Sequence, residues 1–589
     1  MLNVGVDFGS TYTMVSIYRP DSDRAEVVTL TEDAASVGIP TVLATTRNRV
    51  FVGREAKKNR LPAATYRAFK MMLAEDDKEL LASRGFDDVN SPAAITELFL
   101  SNVLTKILER EGEKEIDHLA VGAPEIWTRE MQEVEKNGQK FSRFSSNVDG
   151  RSKLRDICKK LPMVKSVDSV QIVSEPVAAS AFFAYDFYKK SGKNFNGHIL
   201  LVDYGGGTLD ITLTEITPKA YGDGSVGMEI RAPFKTGAGE NRERGKIGRA
   251  GIVYMESLAR NAIKKAFPEM DEIPNDEAFF RTVDELEEAI LSGKSIIDDV
   301  FSSVGVDPEL LNEEDMLDAG ESFLFTTLTY KKEDVDVPYQ MMAEVYDEII
   351  RPVFDEKLDE AIAYMKNSKE QISYDERNVD KFKIVLAGGF GNYYLVKKQV
   401  ADKFRFSSQD KRKEYVMGNT ANGEKAVSMG SALIAADKIR IRNTAPFSIG
   451  VAVRNASGKY SKTFALRYNE DIKFNEESIQ KDANGNYQTM ISSGGYIDKL
   501  LINMQEDDRA TLVMTPKPEF TRKLRNAIKN PSQAAVAGFS MDSSGVISIH
   551  IHEFDIITSK VSKEKYSIEL TSFTELFGVQ QMERAFPDD

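Results

Sequence analysis

Two segments far apart in the chain repeat one pattern. Asn3-Val-Gly-Val-Asp7-Phe-Gly9-Ser10-Thr11 is a short apolar run that ends in Asp, an aromatic residue and a glycine–hydroxyl turn, and it leads into the apolar-rich stretch Thr13–Tyr18. Leu200-Leu-Val-Asp203-Tyr-Gly205-Gly206-Gly207-Thr208 repeats this order and leads into Asp210–Ile216. Apolar runs this short, bounded by glycine, read as strands, because an isolated helix of that length is marginal. Each segment is therefore a β-hairpin with a Gly-rich turn. Their separation points to a duplicated α/β domain rather than a solenoid, whose units recur every 20–50 residues or so.

The turn chemistry fits a phosphate. Glycine permits close approach, and successive backbone N–H groups form an anion-binding concavity. An Asp at the strand end just before the turn suits a hydrated Mg²⁺, which takes few direct protein ligands. Two such hairpins facing each other would grip one nucleotide's phosphates. Competing motifs fail. Ser292-Gly293-Lys294-Ser295 ends like a P-loop but has Glu288 where that motif needs Gly. Gly237-Ala238-Gly239 lacks the third glycine of a dinucleotide fingerprint.

A third glycine turn, Gly388-Gly389-Phe390-Gly391-Asn392, follows the strand-like run Lys383–Ala387, and Tyr394–Phe404 then reads as helix. Met342, Val345, Ile349, Val353, Leu358 and Ile362 recur at near-helical spacing, interrupted by Pro352. The pattern changes near Arg440. From Pro446 onward short alternating stretches predict an all-β module, most clearly Ile547, Ile549 and Ile551 on one face with Ser548, His550 and His552 on the other. His550 and His552 lack an apparent third ligand for a metal.

Net charge constrains the partners. The chain has 589 residues and a formal charge of −15, which disfavours binding to a phosphate backbone, so no nucleic acid is expected. Cys158 is the only cysteine, which excludes an internal disulfide and fits a reducing compartment. The first residues read directly as a strand, without a signal-peptide pattern. Nowhere do about 18 apolar residues run together, so no membrane span is expected and a cytoplasmic location is.

Taken with Val173-Ser174-Glu175-Pro176-Val177-Ala178-Ala179, the two hairpins resemble the nucleotide-binding domain of the seventy-kilodalton heat-shock (DnaK-like) chaperone family. Ile39-Pro40-Thr41-Val42, Gly53-Arg-Glu-Ala56, Ile384–Gly389 and Ala426–Ala432 match in the same order. Thr444–Gly450 and Phe539–Ile549 resemble parts of the family's β-sandwich peptide-binding domain. The resemblance implies a duplicated actin-like ATPase fold over residues 1–437, with lobes over about 1–190 and 191–437. A linker (438–444), a β-sandwich (445–575) and a short tail (576–589) would follow.

It implies ATP/ADP and Mg²⁺ as cofactors. Asp7 and Asp203 would hold the metal through water. Gly9, Ser10, Thr11 and Tyr12, with Gly205, Gly206, Gly207 and Thr208, would cradle phosphates. Lys70 and Glu175 would order the γ-phosphate and attacking water, with Asp203 and Thr208 completing the catalytic set. Gly388 and Gly389 would approach the nucleoside, and Lys294 would lie along its adenosine side.

Three departures from the family stand out. Lys438-Ile-Arg-Ile-Arg442 replaces an apolar interdomain run, which puts coupling between the domains in question. The sequence ends soon after the β module, leaving room only for a helix-like stretch near Thr574–Arg584 instead of a helical lid. Phe390 and Asn392 stand where the family usually places Ser and Arg. The leading expectation is a chaperone-like ATPase that binds unfolded or extended polypeptide. The alternative is a nucleotide-switched scaffold for one dedicated protein partner. A small-molecule kinase or an actin-like filament former fits less well, because neither needs the β module.

Overall fold

The computed structural model describes residues 1–30, 38–47, 49–58, 64–75, 78–124, 131–136, 139–144, 150–220, 226–238, 250–292, 324–368, 372–374, 381–404, 416–417, 423, 425–441, 443–444, 448–467, 471–472, 477–479, 487, 489–503, 510–514, 519, 522, 534–542, 547–569 and 581–584. It is a mixed α/β structure with several sheets.

In the first sheet the strands are ordered Val170–Ser174, His118–Ala123, Asn3–Phe8, Tyr12–Arg19, Arg24–Val28. The first three run parallel, and the last three form an antiparallel meander. The second sheet is ordered Val416–Met417, Phe382–Ala387, Gly197–Tyr204, Leu209–Ala220, Val226–Ala238. Its parallel and antiparallel pairings fall in the same places, and Arg440–Ile441 adds one more strand beside Val226–Ala238. The central strand residues Ile199–Val202 are all buried, as expected where helices cover both faces of a sheet.

Helices form where the sequence supplies both an apolar stripe and an end signal. Pro92–Glu111 starts at Ser91, whose side chain accepts from Ala94 N, and stops at Gly112 in the left-handed region. Ile95, Phe99, Leu100, Val103, Leu104 and Ile107 face the core. The apolar repeat around Pro352 forms two helices, Tyr339–Ile349 and Arg351–Asn367. The second carries Pro in its first turn, where a missing N–H costs nothing.

Two helices pass between the sheets. Glu175–Ser191 and Ala426–Ala435 share a buried cluster with Ala120 and Val173 of the first sheet and Ile199, Leu201, Val385 and Ala387 of the second. Their approach is set by Gly430, where an added Cβ would lie 1.7 Å from the Ala178 carbonyl oxygen. On the other side Ala426–Ala435 packs on Gly5, where a Cβ would lie 2.2 Å from the Ser428 oxygen.

The C-terminal part is two sheets face to face. One orders Tyr460–Leu466, Ser448–Arg454, Tyr496–Asn503, Ala510–Met514 and Gln581–Arg584. The other orders Met490–Ile491, Ala534–Met541, Ile547–Asp555 and Lys560–Glu569. Ile449, Val451 and Leu500 of one meet Phe539, Ile549 and Ile551 of the other. His550 and His552 lie on the opposite face and are held by hydrogen bonds rather than set as a metal pair. His550 lies between the Ser540 and Ser567 hydroxyls, and His552 between the Ser562 carbonyl and the Glu477 carboxylate.

Of the helix-like stretch expected near Thr574–Arg584, residues 574–580 lie outside the described residues, and Gln581–Arg584 corrects the expectation for the rest. It is a strand paired antiparallel with Ala510–Met514, so the sandwich extends past residue 575. Sheet pairing satisfies the backbone of a four-residue segment that could not sustain a helix alone. Among the described residues no helix is long and apolar enough to cross a membrane.

The basic junction docks in spite of its composition. Ile439 is 2% exposed within the cluster between the sheets, and Arg440–Ile441 pairs in parallel with Glu229–Ile230. The sandwich in turn meets the helix Gly150–Lys160, whose buried Arg155 is bound to Asp542 and lies 3.4 Å from Glu569.

Gly430→Ala pushes a methyl group into another helix's backbone. It is expected to lower unfolding stability by roughly 1–3 kcal/mol, read by chemical denaturation.

Candidate functional site

The two glycine turns are held from outside by different elements. At the first, Thr41 N donates to the Thr11 carbonyl at 2.7 Å and Thr41 Oγ1 to the Gly9 carbonyl at 2.8 Å. At the second, the helix Gly251–Ala266 begins against the turn. Gly251 N donates to the Gly205 carbonyl at 3.2 Å, and Ile252 N to the Gly206 carbonyl at 2.6 Å. A planar trans peptide points its N–H opposite to its C=O. Tying these carbonyls therefore turns the N–H groups of Ser10, Tyr12, Gly206 and Gly207 away from the clamping elements.

The tips meet. A Cβ on Gly206 would lie 2.2 Å from Thr11 Oγ1, and one on Gly207 would lie 2.4 Å from Ser10 Oγ and 2.7 Å from Met71 Sδ. The hydroxyls of one turn thus occupy the space that a side chain on the other would need. Thr208 closes the second turn, its carbonyl accepting from Gly205 N at 2.9 Å.

Below the tips lies a buried charged floor. Asp7 and Asp203 end equivalent strands, and Glu175 is the first residue of its helix. Lys70 lies in the short helix Phe69–Met72, just after Ala68, a non-glycine residue at φ 53°. Such a conformation persists only where the surroundings impose it. Lys70 Nζ lies 2.6 Å from Glu175 Oε1, and the two side chains are only 5% and 6% exposed.

Burial works against the Lys70 charge, but Glu175 and Asp7 outweigh it and hold the ammonium above the usual lysine range. Burial, followed by repulsion from Glu175, pushes Asp7 up to about 7, with Lys70 opposing. Burial also drives Asp203 well above its usual range, reinforced by Glu175, Asp7 and Asp210.

Gly388 completes the floor at φ 75°, where a Cβ would lie 2.6 Å from Asp203 Oδ1. Gly389 is exposed, with open space where its Cβ would be. Phe390 turns inward, stacked on Tyr393 and edge-on to Tyr204, so it serves the core. Lys294 lies outside the described residues.

Sequence reasoning missed two features. Asp210 is directly opposite Asp203 in the second hairpin and is buried, whereas Met14 faces Asp7 in the first. The spacing across so tight a turn already fixed that register. The second feature is a set of ion pairs between segments remote in sequence. Lys57 lies 2.9 Å from Glu287 and 3.2 Å from Asp284, Arg67 lies 2.6 Å from Asp284, and Arg84 lies 3.1 Å from Glu256. Lys57 also stands over the Tyr12 ring at 5.6 Å. No local sequence pattern announces such pairs.

The surplus of carboxylates over Lys70 fits a cation. Among the described residues, however, no group of three or more His, Cys, Asp or Glu side chains could ligate one directly. That donor set matches a hydrated Mg²⁺ better than a metal held in a protein cage.

No protein-family model matches the chain. A 70 kDa heat shock protein from Neurospora crassa is 24% identical to it over 229 residues, which is 36% of this chain and 32% of that protein. The chain thus spans about a third of the length of that curated relative. The similarity is distant and partial.

The carboxylates of the floor give a signed pH dependence. Asp7 binds its proton more tightly folded than unfolded, so the nucleotide-free chain loses stability as pH rises from about 4 to about 7. Asp7→Asn is expected to stabilise the nucleotide-free chain at pH 8 by roughly 1–3 kcal/mol, read by thermal unfolding without Mg²⁺.

Proposed function

We propose that this chain is a Mg²⁺-dependent ATP-binding and slowly hydrolysing protein with a duplicated actin-like nucleotide domain. Its nucleotide state governs polypeptide binding by the C-terminal β-sandwich. The observation that carries the reading is the meeting of two glycine–hydroxyl turns over a floor of half-buried Asp7 and buried Lys70, Glu175, Asp203 and Asp210. The common strand order of the two sheets supports the duplicated fold, and the partial similarity to a 70 kDa heat shock protein supports the function class.

In this reading Gly9–Tyr12 and Gly205–Thr208 bind the phosphates through backbone N–H groups and hydroxyls. Asp7 and Asp203 would hold Mg²⁺ through water, and the ion would supply charge neutralisation on the phosphates. Lys70, fixed by Glu175, presents an ammonium to the terminal phosphoryl group, and Glu175 orients the attacking water. Phosphoryl transfer to water needs positioning and charge stabilisation more than a strong base. The nucleoside passes Gly388 and Gly389. The ion pairs of Lys57, Arg67 and Arg84 close the site and restrain release of nucleotide.

Coupling to the sandwich is supported by the docked junction and by Arg155 at Asp542 and Glu569. Contacts of this kind are packed links through which the floor could act on the sandwich.

Asp203→Asn and Thr208→Ala are each expected to lower ATP turnover by at least roughly a hundred-fold, measured by phosphate release. Unchanged turnover in both removes the catalytic assignment. Mg·ATP is expected to raise the melting temperature of the wild-type chain, and no shift would overturn nucleotide binding itself. Screening unrelated extended peptides with and without ATP tests the sandwich. A broad apolar preference supports a chaperone, and its absence leaves a scaffold for one partner.

A further inference from the structure

The turn joining Tyr12–Arg19 to Arg24–Val28 lies at the far end of the strand that leaves the first glycine turn. There Asp23 sits at φ 50°, a region Asp tolerates better than most residues, with its N–H donating to the Pro20 carbonyl at 3.2 Å. Donors from three elements converge on it. Tyr18 Oη donates to the carboxylate oxygen that also lies 3.3 Å from Lys438 Nζ. Lys189 Nζ reaches the other oxygen at 3.0 Å, and Tyr185 Oη donates to the Asp23 carbonyl at 3.2 Å. Burial opposes the Asp23 charge, but the hydrogen bonds from Tyr18, Tyr185, Lys189 and Lys438 hold its pKa well below the usual carboxylate range.

These elements join the candidate site to the junction. Tyr18 lies on the strand that leaves the first glycine turn, and Tyr185 and Lys189 lie on the helix that begins at Glu175. Lys438 belongs to the junction and also stands over the Tyr18 ring at 5.2 Å. Beneath the carboxylate, Tyr18, Tyr185 and Ile439 share a buried cluster with Met228 and Ile230 of the second sheet. Lys438 and Asp23 are 40% and 41% exposed, so their pair is weak beside the burial of Ile439. Ile439 therefore supplies the hold, and Asp23 supplies the position.

We propose that Asp23 is the positioning residue for the junction. It fixes Lys438 to the first sheet while Ile439 and the Arg440–Ile441 strand bind the second. The junction is then a charged clasp, seated when the two sheets keep this mutual arrangement. Its response to nucleotide rests on the function proposed above.

Trypsin cleavage after Arg440 and Arg442 in the full chain, followed by mass spectrometry, tests the clasp. Lys438→Gln and Asp23→Asn are each expected to speed cleavage of the nucleotide-free chain by roughly five-fold at low salt. Added salt is expected to bring the wild type towards the same rate, because a half-exposed pair is screened. The double variant is expected to be cut no faster than Asp23→Asn alone, since that substitution already removes the pair with Lys438 along with the one to Lys189.

Lys438→Gln alters only a half-exposed side chain, so it tests the idea even if Asp23→Asn disturbs folding. Cleavage of Lys438→Gln at the wild-type rate overturns the clasp, as does a double variant whose acceleration is the product of the single ones. Mg·ATP is expected to slow wild-type cleavage more than that of Lys438→Gln, and equal slowing overturns the coupling. A wild-type chain that binds no Mg·ATP overturns the nucleotide reading, while the rates without nucleotide still decide the clasp.

Discussion

The 2.6 Å pair between Lys70 and Glu175 puts an ammonium inside a floor that also carries Asp7, Asp203 and Asp210. With all groups ionised, four negative charges against one positive leave a formal charge of −3. In a desolvated site that surplus is costly. It can be relieved by protons, which is why Asp7 and Asp203 hold theirs so strongly, or by a bound cation. The lysine cannot be moved without leaving Glu175 buried and unpaired. This explains why the chain tolerates a left-handed Ala68 immediately before the helix that delivers Lys70.

The sheets explain how so many carboxylates reach one place. Asp7, Glu175, Asp203 and Gly388 each stand at or just after the C-terminal end of a strand with parallel pairing: Asn3–Phe8, Val170–Ser174, Gly197–Tyr204 and Phe382–Ala387. In open α/β sheets that is the edge where ligands bind. Two sheets of like order, held together by helices that touch at Gly430 and Ala178, bring two such edges face to face. The packing of the crossing helices therefore sets the separation of the glycine turns.

What could be read from sequence was local. Both hairpins were legible because a Gly-rich turn after an Asp-tipped apolar run constrains only a few neighbouring residues. Glu175 was legible only through the resemblance carried by Val173–Ala179, a short stretch that runs from a strand straight into a helix with Pro176 in its first turn. Asp210 was equally local but went unassigned, because the first hairpin has Met14 in its place. The pairs linking Lys57 and Arg67 to Asp284 and Glu287 depend on how remote segments fold against each other, and no spacing encodes that. Gln581–Arg584 was misread because its backbone partner, Ala510–Met514, supplies a stability that the segment's own residues do not.

The junction shows how composition and pattern can point in different directions. Judged by composition, Lys438-Ile-Arg-Ile-Arg442 is too basic to replace an apolar run that docks on a domain. Judged by period, its alternation is that of a strand with one apolar and one charged face. At Lys438 and Ile439 the structure follows the period. Ile439 goes into the cluster between the sheets, Lys438 turns to Asp23, and the next two residues join the second sheet. A charged junction can therefore dock as an apolar one does, provided the surface it meets supplies a carboxylate. Docking that combines one buried isoleucine with a screened ion pair should respond to ionic strength, as a purely apolar junction would not.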